Sequence, residues 1–152
     1  RLSDSPVTVL GNLTVASNTL LSIEAGVEVL FVGNYRLDVN GTLQAWGTPN
    51  NPVVFTSSDA FPLPGDWQGI RFNGTNAGGV LSNTVVEYAV TGVSCYDAAP
   101  TLVGCEIWGW LAAVGQAPLL LKPLLFVGND QGSRRWSLET HCPPLQGTVA
   151  SI

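Results

Sequence analysis

Short runs of alternating apolar and polar residues recur along this chain, among them Leu13-Thr14-Val15, Leu21-Ser22-Ile23, Leu37-Asp38-Val39 and Ile70-Arg71-Phe72, each followed within a few residues by Gly or Asn. Alternation with period two puts successive side chains on opposite faces of a strand. The pattern predicts strands over 8–10, 13–15, 20–23, 27–31, 37–39, 42–45 and 53–56, punctuated by Gly, Asn or Pro. No helical period survives in that stretch. Strands this short make a poor open sheet, but stacked coil on coil each one buries its apolar side against its predecessor. The expected fold class is therefore all-β, a solenoid of short strands.

Internal similarity supports the solenoid. Leu13-Thr14-Val15 is echoed by Leu37-Asp38-Val39, and Val80-Leu81 through Val85-Val86 precedes Thr101-Leu102 through Glu106-Ile107 by 21 residues. The run from Pro100 to Trp108 aligns with the run from Pro118 to Phe126 at a spacing of 18. Unequal periods near twenty fit turns that vary in length while their strands stay in register, which for this chain length gives roughly six to seven turns.

The residues then carry a family resemblance. The run Leu21-Ser22-Ile23-Glu24-Ala25-Gly26-Val27-Glu28-Val29, the run Leu37-Asp38-Val39-Asn40-Gly41-Thr42-Leu43, the run from Gly47 to Ser57, and Gly65-Asp66-Trp67-Gln68-Gly69-Ile70-Arg71-Phe72 resemble the opening coils of secreted bacterial right-handed parallel β-helix repeat proteins of pectate-lyase-like fold. The resemblance covers about residues 7–110. It implies a right-handed parallel β-helix in one domain, 1–152, and an extracellular or cell-surface place in a bacterium. Such runs specify the fold well and the activity poorly. After Trp110 the match fades, and residues 129–152 are expected to form an irregular tail serving as a cap, an oligomer contact or a flexible end.

Composition narrows the setting. Hydrophobic residues make up 45% of the 152 positions, enough for a continuous core, whereas only 11% are charged, so Ser, Thr, Asn and Gly must solubilise much of the surface. The formal charge is -5, and the six cations are scattered apart from the pair Arg134-Arg135. No basic stripe suggests a nucleic-acid partner. No uninterrupted apolar window reaches the roughly 18 residues that span a membrane. The start carries no basic segment ahead of an apolar one, and the chain has no Met. Arg1 is accordingly expected to be a processed or trimmed end, with any signal peptide outside this sequence. The three cysteines, Cys95, Cys105 and Cys142, include no C-x-x-C pair, and Cys95 and Cys105 stay open between a disulfide and buried thiols.

Enzymes of the resembled fold act on uronic acids through converging carboxylates or calcium. Here the eleven Asp and Glu include no Asp-Asp pair, and no acid recurs at one coil position. The best remaining group is Asp66, Arg71 and Glu87, with Arg71 and Glu87 expected to stack across neighbouring turns. An Arg beside a carboxylate can bind a uronate, but an exposed ion pair worth about 0 to 1 kcal/mol explains the same residues. Asp66 has a turn role available in its Gly-Asp-Trp run. No metal site is expected, and calcium enters only with a lyase activity.

A second candidate is aromatic. Alternation along Cys105 to Leu111 predicts Cys105, Ile107 and Leu111 inward and Glu106, Trp108 and Trp110 outward. Two outward indoles beside Glu106 suit a sugar ring, and they suit a subunit interface as well. His141 beside Cys142 falls short of a metal site, since adjacent residues do not face one ion in a strand. The triplets starting at Asn12, Asn40 and Asn73 match the glycosylation pattern, and Asn turns explain them equally. No Thr-x-Thr ladder supports an ice-binding face.

These readings converge on a non-catalytic β-helix scaffold or interaction module that contacts glycans. The rivals are a small polysaccharide lyase or glycoside hydrolase, or a fragment of one, and a gene-cassette product with no assignable function. The very apolar residues 119–126, with Lys122 their one charge, point to a homo-oligomer that buries a lateral or end surface.

Overall fold

The computed structural model describes residues 3–108 in full and, beyond them, the backbone of four further strands. Each turn of the chain contributes three strands. The first turn holds β1 (Val7–Val9), β2 (Leu13–Val15) and β3 (Leu20–Ile23); the second holds β4 (Glu28–Phe31), β5 (Arg36–Val39) and β6 (Thr42–Trp46). The third holds β7 (Val53–Ser57), β8 (Gly69–Asn73) and β9 (Gly78–Ser82); the fourth, β10 (Thr84–Val86), β11 (Thr91–Tyr96) and β12 (Thr101–Val103). The fifth holds β13 (Glu106–Trp108), β14 (Trp110–Val114) and β15 (Leu120–Lys122), and then come β16 (Leu125–Val127) and β17 (Arg135–Ser137). Strand ends lie within one residue of those the alternation predicts as far as β7.

Every third strand pairs in parallel, which builds three faces. Sheet 1 runs β1-β4-β7-β10-β13-β16-β17, sheet 2 runs β2-β5-β8-β11-β14, and sheet 3 runs β3-β6-β9-β12-β15. Among the described strands only the last step, β16 to β17, is antiparallel. Parallel strands visited in this repeating order give the right-handed β-helix, the hand that parallel crossovers take. Among the described residues there are five full turns and the start of a sixth, because the third turn is lengthened by residues 58–68 between β7 and β8.

The core is a set of apolar columns. Val29, Phe55, Val86 and Ile107 stack in sheet 1, Leu37, Ile70 and Val93 in sheet 2, and Ile23, Ala45, Leu81 and Leu102 in sheet 3. All are essentially closed to solvent. Burying each large side chain contributes about 1.5–3 kcal/mol, so the period-two pattern is also the energetic basis of the stack.

Trp67 fills the cross-section where the third turn is longest. Its ring stacks on Phe31 with centroids 4.1 Å apart, and its Nε1 donates to the Glu87 carbonyl at 2.8 Å. Two residues on, Gly69 sits at φ +103°, and a Cβ there would lie 1.6 Å from the Thr91 carbonyl oxygen. No other residue fits.

The structure sharpens the repeat alignment. Val80 pairs with Thr101 and Val85 with Glu106, as the spacing of 21 requires, but Thr101 pairs with Leu120 and not Leu119, one residue off the spacing of 18. Cys95 and Cys105 are both buried as thiols. The side chains of 119–126, the tail 129–152 apart from the β17 backbone, His141 and Cys142 lie outside the described residues.

Candidate functional site

On the outer face of sheet 2, one carboxylate holds two guanidiniums. The ladder sets Asp38 of β5 directly beside Arg71 of β8, and Arg36 is two residues from Asp38 on the same side of its strand. Arg36 Nε donates to Asp38 Oδ2 at 2.6 Å, and Arg71 Nε donates to Oδ1 at 3.0 Å. Asn73 Nδ2 donates to Asn40 Oδ1 at 3.3 Å and reaches Asp38 Oδ1 at 3.5 Å, which extends the polar ladder. The Asp38 side chain is only 12% exposed, whereas Arg36 and Arg71 are 39% and 37% exposed. The carboxylate therefore lies beneath its partners and holds them in place.

Both arginines bond Asp38 through Nε, and among the described residues no further hydrogen bond occupies their terminal amino groups. The group carries two formal cations and one anion. The ion pairs themselves stabilise little, about 1 kcal/mol or less each at this exposure. Their effect is to fix the direction of the guanidinium forks, which match a carboxylate or sulfate.

A cleft of about 160 Å³ opens beside these forks, lined by Arg36, Gln68, Gly69, Arg71, Thr91, Ser94 and Tyr96. Gly69, which faces Arg36 in the ladder, lines it where the Thr91 carbonyl closes in. The register also shifts between Thr91 and Val93, which distorts the next strand at the same level. Gln68 Nε2 donates to Asn34 Oδ1 at the rim. Tyr96 forms a partly exposed wall, with its ring centroid 5.8 Å from Arg71 Cζ, inside cation–π range.

The expected grouping of Asp66, Arg71 and Glu87 does not form. Arg71 lies in sheet 2, while Glu87 follows β10 in sheet 1, less than a full turn later, and its Oε1 accepts the Thr56 hydroxyl at 2.8 Å. Asp66 Oδ2 accepts the Leu63 amide at 3.0 Å, a turn role that sets the entry of Trp67. The partner of Arg71 is Asp38.

The aromatic candidate divides at a corner. Cys105 and Ile107 point inward, Glu106 is half-buried and Trp108 is exposed, as the alternation predicts. Trp110, however, opens β14 in sheet 2, while Trp108 ends β13 in sheet 1, and its side chain lies outside the described residues. The two residues do not share a strand. In sheet 1, Glu106 pairs with Val85 and Ile107 with Val86. Among the described residues no three His, Cys, Asp or Glu side chains come together as metal ligands.

A family model described as a pectate-lyase like beta helix domain matches residues 3–97. The Drosophila melanogaster protein named Protein bark beetle is 36% identical over 77 residues, 47% of this chain and 2% of that protein's length. The chain thus resembles a small part of a far longer protein. No solved structure matches.

Proposed function

The chain belongs to the pectate-lyase-like β-helix domain family, and from that premise we propose that it is a non-catalytic interaction module which binds anionic glycan chains across sheet 2. The observation that carries this reading is the pair of guanidiniums from successive turns, anchored on Asp38 beside a cleft with Tyr96 at its side. Arg36 and Arg71 offer their amino groups to the carboxylates or sulfates of the glycan, and Tyr96 packs on a sugar ring. Successive turns lie about 4.8 Å apart, comparable to the spacing of polar groups along one sugar residue. Each carboxylate nearby is already engaged by a neighbour, which favours binding over acid–base chemistry. A glycan partner places the module outside the cell or on its surface.

The test is affinity for a sulfated and a uronate polysaccharide, with a neutral glucan as control. Both anionic chains should bind, and salt should weaken them as it screens the arginines. Arg36→Gln with Arg71→Gln should abolish binding at unchanged secondary structure. Unchanged affinity in that double variant, or turnover of polygalacturonate with calcium, would sink the reading.

A further inference from the structure

The two arginines on sheet 2 stand between two pairs of carboxamides. At one end of β5 and β8, Gln68 Nε2 donates to Asn34 Oδ1; at the other end, Asn73 Nδ2 donates to Asn40 Oδ1 at 3.3 Å. Asn34 and Gln68 precede the two strands, whereas Asn40 follows β5 and Asn73 ends β8. Each pair therefore joins the second turn to the third, as Asp38 and Arg71 do between them. Asn34 is exposed and the other three are half-buried. From residue 34 to residue 40 the chain spans at most about 20 Å, a length of several sugar units.

Pairing engages only half of each couple. A carboxamide carries an acceptor oxygen and an amino group that donates. Among the described residues Gln68 Oε1 and Asn73 Oδ1 accept no hydrogen bond, and Asn34 Nδ2 and Asn40 Nδ2 donate none. Turning over both amides of a pair exchanges these roles and leaves the same set, one acceptor and one donor. A guanidinium only donates, which suits an anion; a hydroxyl both donates and accepts, which suits an amide pair. Along the solenoid axis the arrangement differs. The residue level with Arg71 on the next turn is Ser94, which is buried and directs its hydroxyl to the Ile70 carbonyl at 3.4 Å.

Resting on the glycan reading above, we infer that the two amide pairs are hydroxyl-reading subsites on either side of the arginines. The ligand then lies along β5 and β8, across the solenoid axis, and consists of an acidic sugar flanked by sugars that keep their hydroxyls free. A chain whose hydroxyls are esterified by sulfate still meets the arginines, but it sets anions against Gln68 Oε1 and Asn73 Oδ1. Tyr96, beside Asn73 in the ladder, borders the second subsite.

Two polymers test this: hyaluronan, in which a uronate alternates with a neutral N-acetylated sugar, and dextran sulfate, in which most hydroxyls are esterified. Asn34→Ala with Gln68→Ala, and separately Asn40→Ala with Asn73→Ala, should each weaken hyaluronan about tenfold, the scale of a lost neutral hydrogen bond or two. Affinity for dextran sulfate should stay unchanged. The Asn34 and Gln68 variant sits at the rim and should keep its Tm, so it decides the matter if the second variant disturbs Asp38. Unchanged hyaluronan affinity in that rim variant, or equal losses for both polymers, overturns the subsites and leaves the arginine site standing. Arg36→Gln with Arg71→Gln should abolish binding of both polymers. If that variant binds both as before, the glycan reading has failed and this inference with it.

Discussion

Arg71 stands directly beside Asp38 in the parallel ladder of sheet 2, 33 residues later in the chain, and donates to it at 3.0 Å. Asp38 also takes Arg36, so its loss leaves two cations on neighbouring turns with nothing between them. Asp38→Asn should lower stability by about 1–3 kcal/mol, the range for a lost charge-assisted hydrogen bond. It also removes the one anion of the cleft. Affinity for a polyanion should therefore hold or rise while the urea midpoint falls, and a fall in both would mean that Asp38 positioning outweighs net charge.

Gly69 faces Arg36 and lines the cleft, and its backbone admits no Cβ. Gly69→Ala combines a left-handed conformation with a backbone clash, and should cost about 3 kcal/mol or more. The comparison is Gly11→Ala, where a Cβ would meet nothing within 4 Å. Equal urea midpoints for the two variants would contradict the close approach of Thr91.

The apolar columns were legible because they are local: an inward residue announces itself every second position. Long-range partners were legible only where turns had equal length. Asp38 and Arg71 each occupy the polar centre of an apolar-polar-apolar triplet, Leu37-Asp38-Val39 and Ile70-Arg71-Phe72, and superposing those triplets pairs them. The inserted residues 58–68 break the period near twenty that would have prompted it. Counting by short turns instead pointed Arg71 at Glu87, two strands later in another sheet. The split between Trp108 and Trp110 was hidden for a related reason, since alternation continues in sequence across a corner where the strand itself ends.

Trp67 enters the core from that same insertion and stacks on Phe31. Trp67→Ala should destabilise by about 3–5 kcal/mol, as large buried aromatics do. Trp67→Phe keeps a ring but forfeits the 2.8 Å bond to the Glu87 carbonyl, so an intermediate loss near 1–3 kcal/mol is expected. Calorimetric stabilities in the order unaltered, Phe, Ala are the check. If Phe matches the unaltered chain, the indole hydrogen bond contributes nothing net.

Cys105 gives the chain a signature at alkaline pH. Its thiol is buried in front of β13, Sγ donates to the Leu81 carbonyl at 3.1 Å, and burial pushes its pKa above the ordinary thiol value of 9.0. The folded state therefore keeps a proton that the unfolded chain releases once the pH passes about 9. Unfolding then sheds a proton, so the stability this thiol contributes is complete below that pH and declines above it. Cys105→Ala should be less stable at pH 7 through its lost packing, yet show a shallower decline between pH 8 and roughly pH 10.5. Every other group is common to both proteins, so the difference between the two curves isolates Cys105. Parallel curves would mean that the thiolate is no worse accommodated in the fold than in water.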